Sequence, residues 1–351
     1  RSEDMRTEHI YLGGIGVYLP ATIGVEHAVA QGWYPAEEAE TGQLAGVAVA
    51  GDTPAPEMAL RAAQEAVKRA GADPDAISLL LYADSWHQGP DGWQPQYYLQ
   101  RHLVGGDALA VEVRQGCNGM FSALELAAGY LAGQPDRRTA LAVAADNFGT
   151  PLVNRWRTGP GFIVGDGASA VLLTKEPSFA RLLSVRSVAI PELEELHRIG
   201  QPLFPPAATV GRDMDLAGRA ATFKRWAATQ PDVMDAWLKL YRRMLEVIEP
   251  TLDEAGITIK DVTRVSFPNS AKDVVEKRWT AALGMTLAQS TWDFGRTIGH
   301  ISASDQIIAL DHLLSHDELG AGDHYLMVGV GPGITLSSAV IRIDRRPPWS
   351  V

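Results

Sequence analysis

Cysteine is almost missing from this chain of 351 residues, which has one, at position 117. No internal disulfide can form, so the fold must rest on its core, and a reducing, cytoplasmic setting is expected. Long apolar runs are missing too. No stretch approaches the roughly 20 residues a membrane span needs, and the N-terminal region lacks the basic-then-apolar layout of a secretory leader. The third absence is positive charge in excess. Lys and Arg number 31 against 42 Asp and Glu, a formal net charge of -11, and no Lys/Arg cluster exceeds three residues. A nucleic-acid partner is therefore disfavoured, and contact with an acidic partner would need a local basic patch.

Apolar residues are plentiful, at 46% of the chain. That is enough for a large core, and the length suits two domains or one two-lobed domain. The lone cysteine lies in Leu109-Ala-Val-Glu-Val-Arg-Gln-Gly-Cys-Asn-Gly-Met120, between a strand-like run and the helix-like run Phe121-Ser-Ala-Leu-Glu-Leu-Ala-Ala-Gly-Tyr-Leu131. A lone cysteine is usually a small buried hydrophobe. Here Gly116 and Gly119 flank it, which suits a tight turn better than a packing site. At a strand-to-helix turn the sulfur meets the positive end of the helix dipole, which favours thiolate and attack on a thioester or ester carbonyl. The helix-like run is apolar on every side and is expected to be buried.

An internal repeat organises the rest. Ala62-Ala-Gln-Glu-Ala-Val-Lys-Arg-Ala-Gly71 and Glu249-Pro-Thr-Leu-Asp-Glu-Ala-Gly256 are helical patterns closed by Ala-Gly, with the glycine as helix stop. Each is followed by a β-rich run, Ile77 to Ala83 and Val262 to Phe267, and then by a serine 14 residues past the glycine, Ser85 and Ser270. The repeat shift is 185 residues, which carries Cys117 to position 302, two residues past His300. Strands alternating with helices, the strands largely apolar, predict an α/β layered fold of two similar halves. We place these at 5–178 and 233–351, joined by a connecting and tunnel-capping segment, 179–232, that holds Pro191, Pro202, Pro205, Pro206 and Pro231.

In order along the chain, several motifs resemble the ketoacyl-ACP synthase III branch of the thiolase superfamily. Tyr11-Leu-Gly-Gly-Ile-Gly-Val-Tyr-Leu-Pro20 is similar to its first strand, and Met58 to Ala83 to its first helix and second strand. Gln115-Gly-Cys-Asn-Gly119 resembles its nucleophile turn, Gly165-Asp-Gly-Ala-Ser-Ala170 its Gly-Asp-Gly-Ala signature, and Gly331-Pro-Gly-Ile-Thr335 its C-terminal glycine loop. The resemblance spans nearly the whole chain. It implies a five-layered αβαβα fold, a homodimer, and acylation of Cys117 from the phosphopantetheine of an acyl carrier protein or from CoA. It implies no bound cofactor and no metal.

The departures from the family pattern carry the functional reading. Condensing members pair the cysteine with a histidine opening a His-Gln-Ala-Asn-like motif and an asparagine in a Gly-Asn-Thr-like motif. Here the first reads Pro268-Asn269-Ser270-Ala271 and the second Gly299-His300-Ile301, so histidine and asparagine have exchanged places. In condensation both groups hydrogen-bond the thioester carbonyl as the carbanion develops, a demand with tight geometry. An imidazole moved elsewhere suits deprotonation of an incoming hydroxyl or thiol. Asp305 follows closely enough to fix its tautomer, so Cys117, His300 and Asp305 are the expected catalytic set. The arrangement resembles the acyltransferase branch of the family from antibiotic and polyketide pathways, whose members move acyl groups from a carrier to an alcohol or a second carrier.

Other substitutions qualify the site. Pro332 has no N–H to offer an oxyanion, so the Cys117 amide, Gly333 and the Asn269 side chain are expected to serve. The family's CoA-gripping arginine has no clear counterpart ahead of Gly165, leaving Arg155 and Arg157 as substitutes and a carrier-bound donor as the more natural expectation. Trp86 and Trp93, in a loop after the second strand, are expected on the pocket wall. Three functions compete: a non-condensing acyltransferase, a starter condensing enzyme with rearranged groups, and an inactive subunit that keeps the fold. Retention of Cys117 and His300 argues against the third.

Overall fold

In a computed structural model the described residues are 9–133, 135–149, 153–159, 161–203 and 214–350. The strands are β1 (Tyr11–Tyr18), β2 (Thr22–Gly24), β3 (Gly46–Ala48), β4 (Ile77–Ala83), β5 (Leu109–Val113), β6 (Thr139–Asp146), β7 (Gly167–Thr174), β8 (Ala180–Ala189), β9 (Arg264–Ser266), β10 (His324–Gly331) and β11 (Thr335–Ile343). The helices used below are α1 (Ala55–Ala70), α2 (Gly119–Gly133), α3 (Leu216–Ala227), α4 (Pro231–Leu238), α5 (Leu240–Ala255) and α6 (Asp305–Ser315).

Nine strands form one sheet in the order β5-β4-β6-β7-β1-β8-β11-β10-β9, so the second half mirrors the first about the β1–β8 seam. The same mixture recurs on each side. β4 runs parallel to β5 and β6, as β10 does to β9, while the β6–β7–β1 and β10–β11–β8 pairings are antiparallel. Every residue of β4 and β7 is buried, as strands covered on both faces must be.

Packing sets the layers. α1 covers the outer face of the N-terminal half, α5 that of the C-terminal half, and α2 and α6 lie between the halves in the central core. This is the five-layered αβαβα thiolase-like arrangement. The approach of α1 to β1 is tight enough to require glycine: a Cβ at Gly14 or Gly16 would stand 2.2 Å from the Ala66 carbonyl oxygen or 2.0 Å from that of Ala62. Gly71 and Gly256 end α1 and α5 in left-handed geometry, φ 59° and 72°, as the Ala-Gly pattern anticipates.

Two expectations change. The segment 179–232 begins on β8, which pairs with β11 along its length and is the first strand of the C-terminal half. An antiparallel partner, not the proline content, decides where that half starts. The chain leaves the sheet at Ile190, whose N–H donates to Ile334 O, and α3 begins against the opposite half, where Leu216 and Ala217 donate to Thr158 O. Pro205 and Pro206 lie outside the described residues. Second, α2 is not buried all round: Leu126 is 56% exposed, and so is Leu109, at 55%, on the edge strand β5. No helix among the described residues is long and apolar enough to cross a membrane.

Candidate active site

Cys117 sits in the short turn Gly116–Asn118 between β5 and α2. The turn needs glycine at 116 twice over: its φ is 56°, and a Cβ there would stand 2.4 Å from the Pro332 ring. Pro332 thus packs against the nucleophile turn. Side chains complete the anchorage to β11. Asn118 Nδ2 donates to Thr335 O at 2.9 Å and Ser337 Oγ at 3.0 Å, and Gln115 Nε2 to Thr335 Oγ1 at 2.9 Å.

The facing turn precedes α6. His300 Nε2 lies 3.1 Å from Cys117 Sγ, and its Nδ1 lies 2.5 Å from Asp305 Oδ2. The backbone of His300 is fixed on both sides, its N–H donating to Ile163 O and its carbonyl accepting from Gly165 N, each at 2.8 Å. Phe162 meets its ring edge-on at 5.4 Å. Burial alone would lower the His300 pKa; the Asp305 carboxylate and a Cys117 thiolate overcome that and raise it well above the ordinary value.

Asp305 is fully buried and richly served. It accepts from Asn269 N at 2.8 Å, Asn269 Nδ2 at 3.1 Å and Ile301 N at 2.7 Å, besides His300. Asn269 Nδ2 gives its other hydrogen to Gly299 O at 2.8 Å. Both amide hydrogens are therefore spent, and the oxyanion-donor role expected of Asn269 is corrected: it holds the carboxylate that holds the imidazole. Close packing explains the direction, since a Cβ on Gly295 would stand 2.1 Å from Asn269 Oδ1.

The remaining predicted residues divide. Trp86 is buried in an apolar cluster with Phe148, Val153 and Val164, against which Phe162 and Met214 pack, so it stands behind the phenyl ring that touches His300. Trp93 packs edge-on against Tyr98, outside that cluster, and is 40% exposed. Gly333 lies exposed next to Pro332 with φ 111°. Arg155 is not available to grip a donor: it is buried and donates through Nη1 and Nη2 to both oxygens of Asp166, at 3.1 and 3.0 Å. Arg157 instead lines an open hollow of about 400 Å³ with Gly32, Trp33, Asn154 and Trp156. Gln115, Asn118 and Phe162 were not singled out by sequence reasoning; only the Gln-Gly-Cys-Asn motif hinted at the first two. Among the described residues no group of His, Cys, Asp and Glu could hold a metal ion.

Comparison with known proteins gives the family. Residues 111–189 match the family 3-oxoacyl-[acyl-carrier-protein] synthase III, and 252–343 match its C-terminal family. A β-ketoacyl-[acyl-carrier-protein] synthase III of Streptomyces coelicolor is 27% identical over 300 residues, 81% of this chain and 82% of that one. The Clostridium perfringens enzyme is 25% identical over 348 residues, 96% of this chain and all of its own. Among solved structures, the acyltransferase ChlB3 is 59% identical with a TM-score of 0.91, covering 97% of this chain and 99% of that one. The Pseudomonas aeruginosa 3-oxoacyl-(acyl carrier protein) synthase III, 21% identical with a TM-score of 0.75 over 97% of this chain and 99% of its own, shares the fold. With the nucleophile turn, the layered halves and these matches in agreement, the chain belongs to the ketoacyl-ACP synthase III-like family of the thiolase superfamily and is an enzyme of that family.

Proposed function

We propose that this enzyme is a non-condensing acyltransferase of secondary-metabolite biosynthesis. The observation that carries the reading is the His300 imidazole held between Cys117 Sγ and Asp305, with the Asn269 amide turned onto Asp305. The Cys117 thiolate attacks the thioester carbonyl of the acyl donor. The bond to the donor sulfur breaks, and that sulfur leaves with the proton of His300 Nε2. A hydroxyl or second carrier thiol then gives its proton to Nε2 and attacks the acyl-Cys117 carbonyl, releasing the cysteine as thiolate. The Cys117 and Gly333 amides are the proposed oxyanion donors. Support also comes from the 59% identity to a protein named as an acyltransferase.

The donor is read as an acyl group on a carrier protein's phosphopantetheine, with CoA as the alternative. Arg155 is committed to Asp166, which leaves Arg157 as the one candidate of the pair for gripping CoA. A homodimer is the proposed assembly: β5 is an edge strand exposing Leu109 and Val111, and such an edge invites pairing unless covered.

The competing reading is decarboxylative condensation, and it needs a free donor where Asn269 is engaged. Malonyl carrier labelled in the free carboxylate, supplied with an alcohol-bearing acceptor, separates the two. Ester or thioester product without labelled carbon dioxide is expected. Labelled gas released in step with a chain-extended ketone would overturn the assignment.

A further inference from the structure

The His300 turn bends through two left-handed positions, Gly299 at φ 76° and Ser302 at φ 48°. Glycine adopts that geometry freely; serine does so at a cost, and persists there only where its surroundings over-determine it. Ser302 is 2% exposed, and its Oγ hydrogen-bonds Ser85 Oγ from the other half of the molecule. Behind them stands Asp146, at the end of β6 and 2% exposed. Its Oδ1 accepts from Ser85 N and Trp86 N, each at 2.9 Å, and from Gln88 Nε2 at 3.3 Å. Burial raises its carboxyl to about 6, against the opposing pull of the Ser85 and Trp86 N–H groups and the Ser302 and Ser85 hydroxyls.

We propose that Ser302, Ser85 and Asp146 are positioning residues, a brace from the N-terminal half that sets the turn carrying His300 and so the distance from imidazole to sulfur. The link is short. Ser302 follows Ile301, whose N–H donates to Asp305 Oδ1 at 2.7 Å, so the Ser302 backbone angle aims one of the donors that place Asp305. A second tie on the same turn, Ser304 Oγ to Ala144 O at 3.1 Å, also crosses to β6. The brace joins the loop bearing Trp86 to the catalytic turn, and its role rests on the Cys117–His300 reading above.

The test exploits the single cysteine, since alkylation of the chain by iodoacetamide reports only Cys117. At a fixed neutral pH the alkylation rate reads how the imidazole, 3.1 Å from the sulfur, activates it. Ser85→Ala and Asp146→Asn should each slow alkylation at that pH. They should also slow transfer from acyl-Cys117 by about 10- to 100-fold, the usual cost of a small misplacement, with little change in melting temperature. If Asp146→Asn does not fold, Ser85→Ala decides alone. Folded variants that keep the original alkylation and transfer rates would overturn the brace and leave the acyltransferase reading standing. Alkylation unchanged by His300→Ala would instead remove the Cys117–His300 pairing itself.

Discussion

The two turns that face each other across the middle layer come from equivalent places in the repeat, yet they do different work. Both precede a central helix, α2 or α6, and the 185-residue shift superposes Cys117 on Ser302. In the first turn the left-handed position falls on Gly116, and the next side chain, Cys117, stays partly exposed. In the second the left-handed position falls on Ser302 itself, whose hydroxyl is buried against Ser85. One turn leaves its side chain accessible; the other buries its side chain against the opposite half. The same shift sets Asp84 against Asn269. Asn269 is fully engaged with Asp305 and Gly299, whereas Asp84 is buried beside the Glu112 carboxyl, with Arg114 Nε 4.0 Å from its Oδ1. On the function proposed above, one half of this repeated scaffold supplies the nucleophile and the other handles the proton.

The sharpest division is between Cys117→Ala and His300→Ala. The first should abolish both acyl uptake and transfer, read by intact-protein mass spectrometry. The second should slow transfer by roughly 10²- to 10⁴-fold, the usual range for a lost general base, and acyl uptake survives it only if the helix dipole alone activates the cysteine. Full single-turnover transfer in the His300 variant would erase the distinction drawn between the turns.

A smaller effect is expected from Asn269→Ala, because Asn269 acts through Asp305. Transfer should slow by about 10- to 100-fold with KM for the acceptor little changed. A KM effect without a kcat effect would return Asn269 to direct substrate contact.

A last effect, on stability rather than rate, concerns the N-terminal half. Burial first, then the Asp146 and Glu112 charges, push the Asp84 carboxyl up to about 8, so its ionisation opposes folding. With the folded value raised, the stabilising protonated form is complete below the unfolded value of ~3.9 and is lost as pH rises through about 8. Asp84→Asn should therefore match the unaltered protein near pH 4 and become relatively more stable as pH approaches 8, measured by denaturant titration. A difference that does not vary with pH would place a donor on Asp84 and weaken its contrast with Asn269.

Local pattern determined a great deal by itself. Helix stops at Gly71 and Gly256, alternation of apolar strands and helices, and the glycine-flanked cysteine all act over a few residues, so they are legible without coordinates. His300 and Asp305 were legible for the same reason, being neighbours on one turn. The tertiary structure alone decided which partner each polar group takes. Arg155 turns inward to Asp166 because a buried guanidinium must find a carboxylate. The amide of Asn269 turns from the sulfur to a carboxylate 36 residues away. Ser302 finds Ser85 across 217 residues. Trp86 goes to the site and Trp93 to the surface, though they sit in one loop. Such choices are made by burial and by competition for donors between segments far apart in sequence, and no periodicity in the chain encodes them.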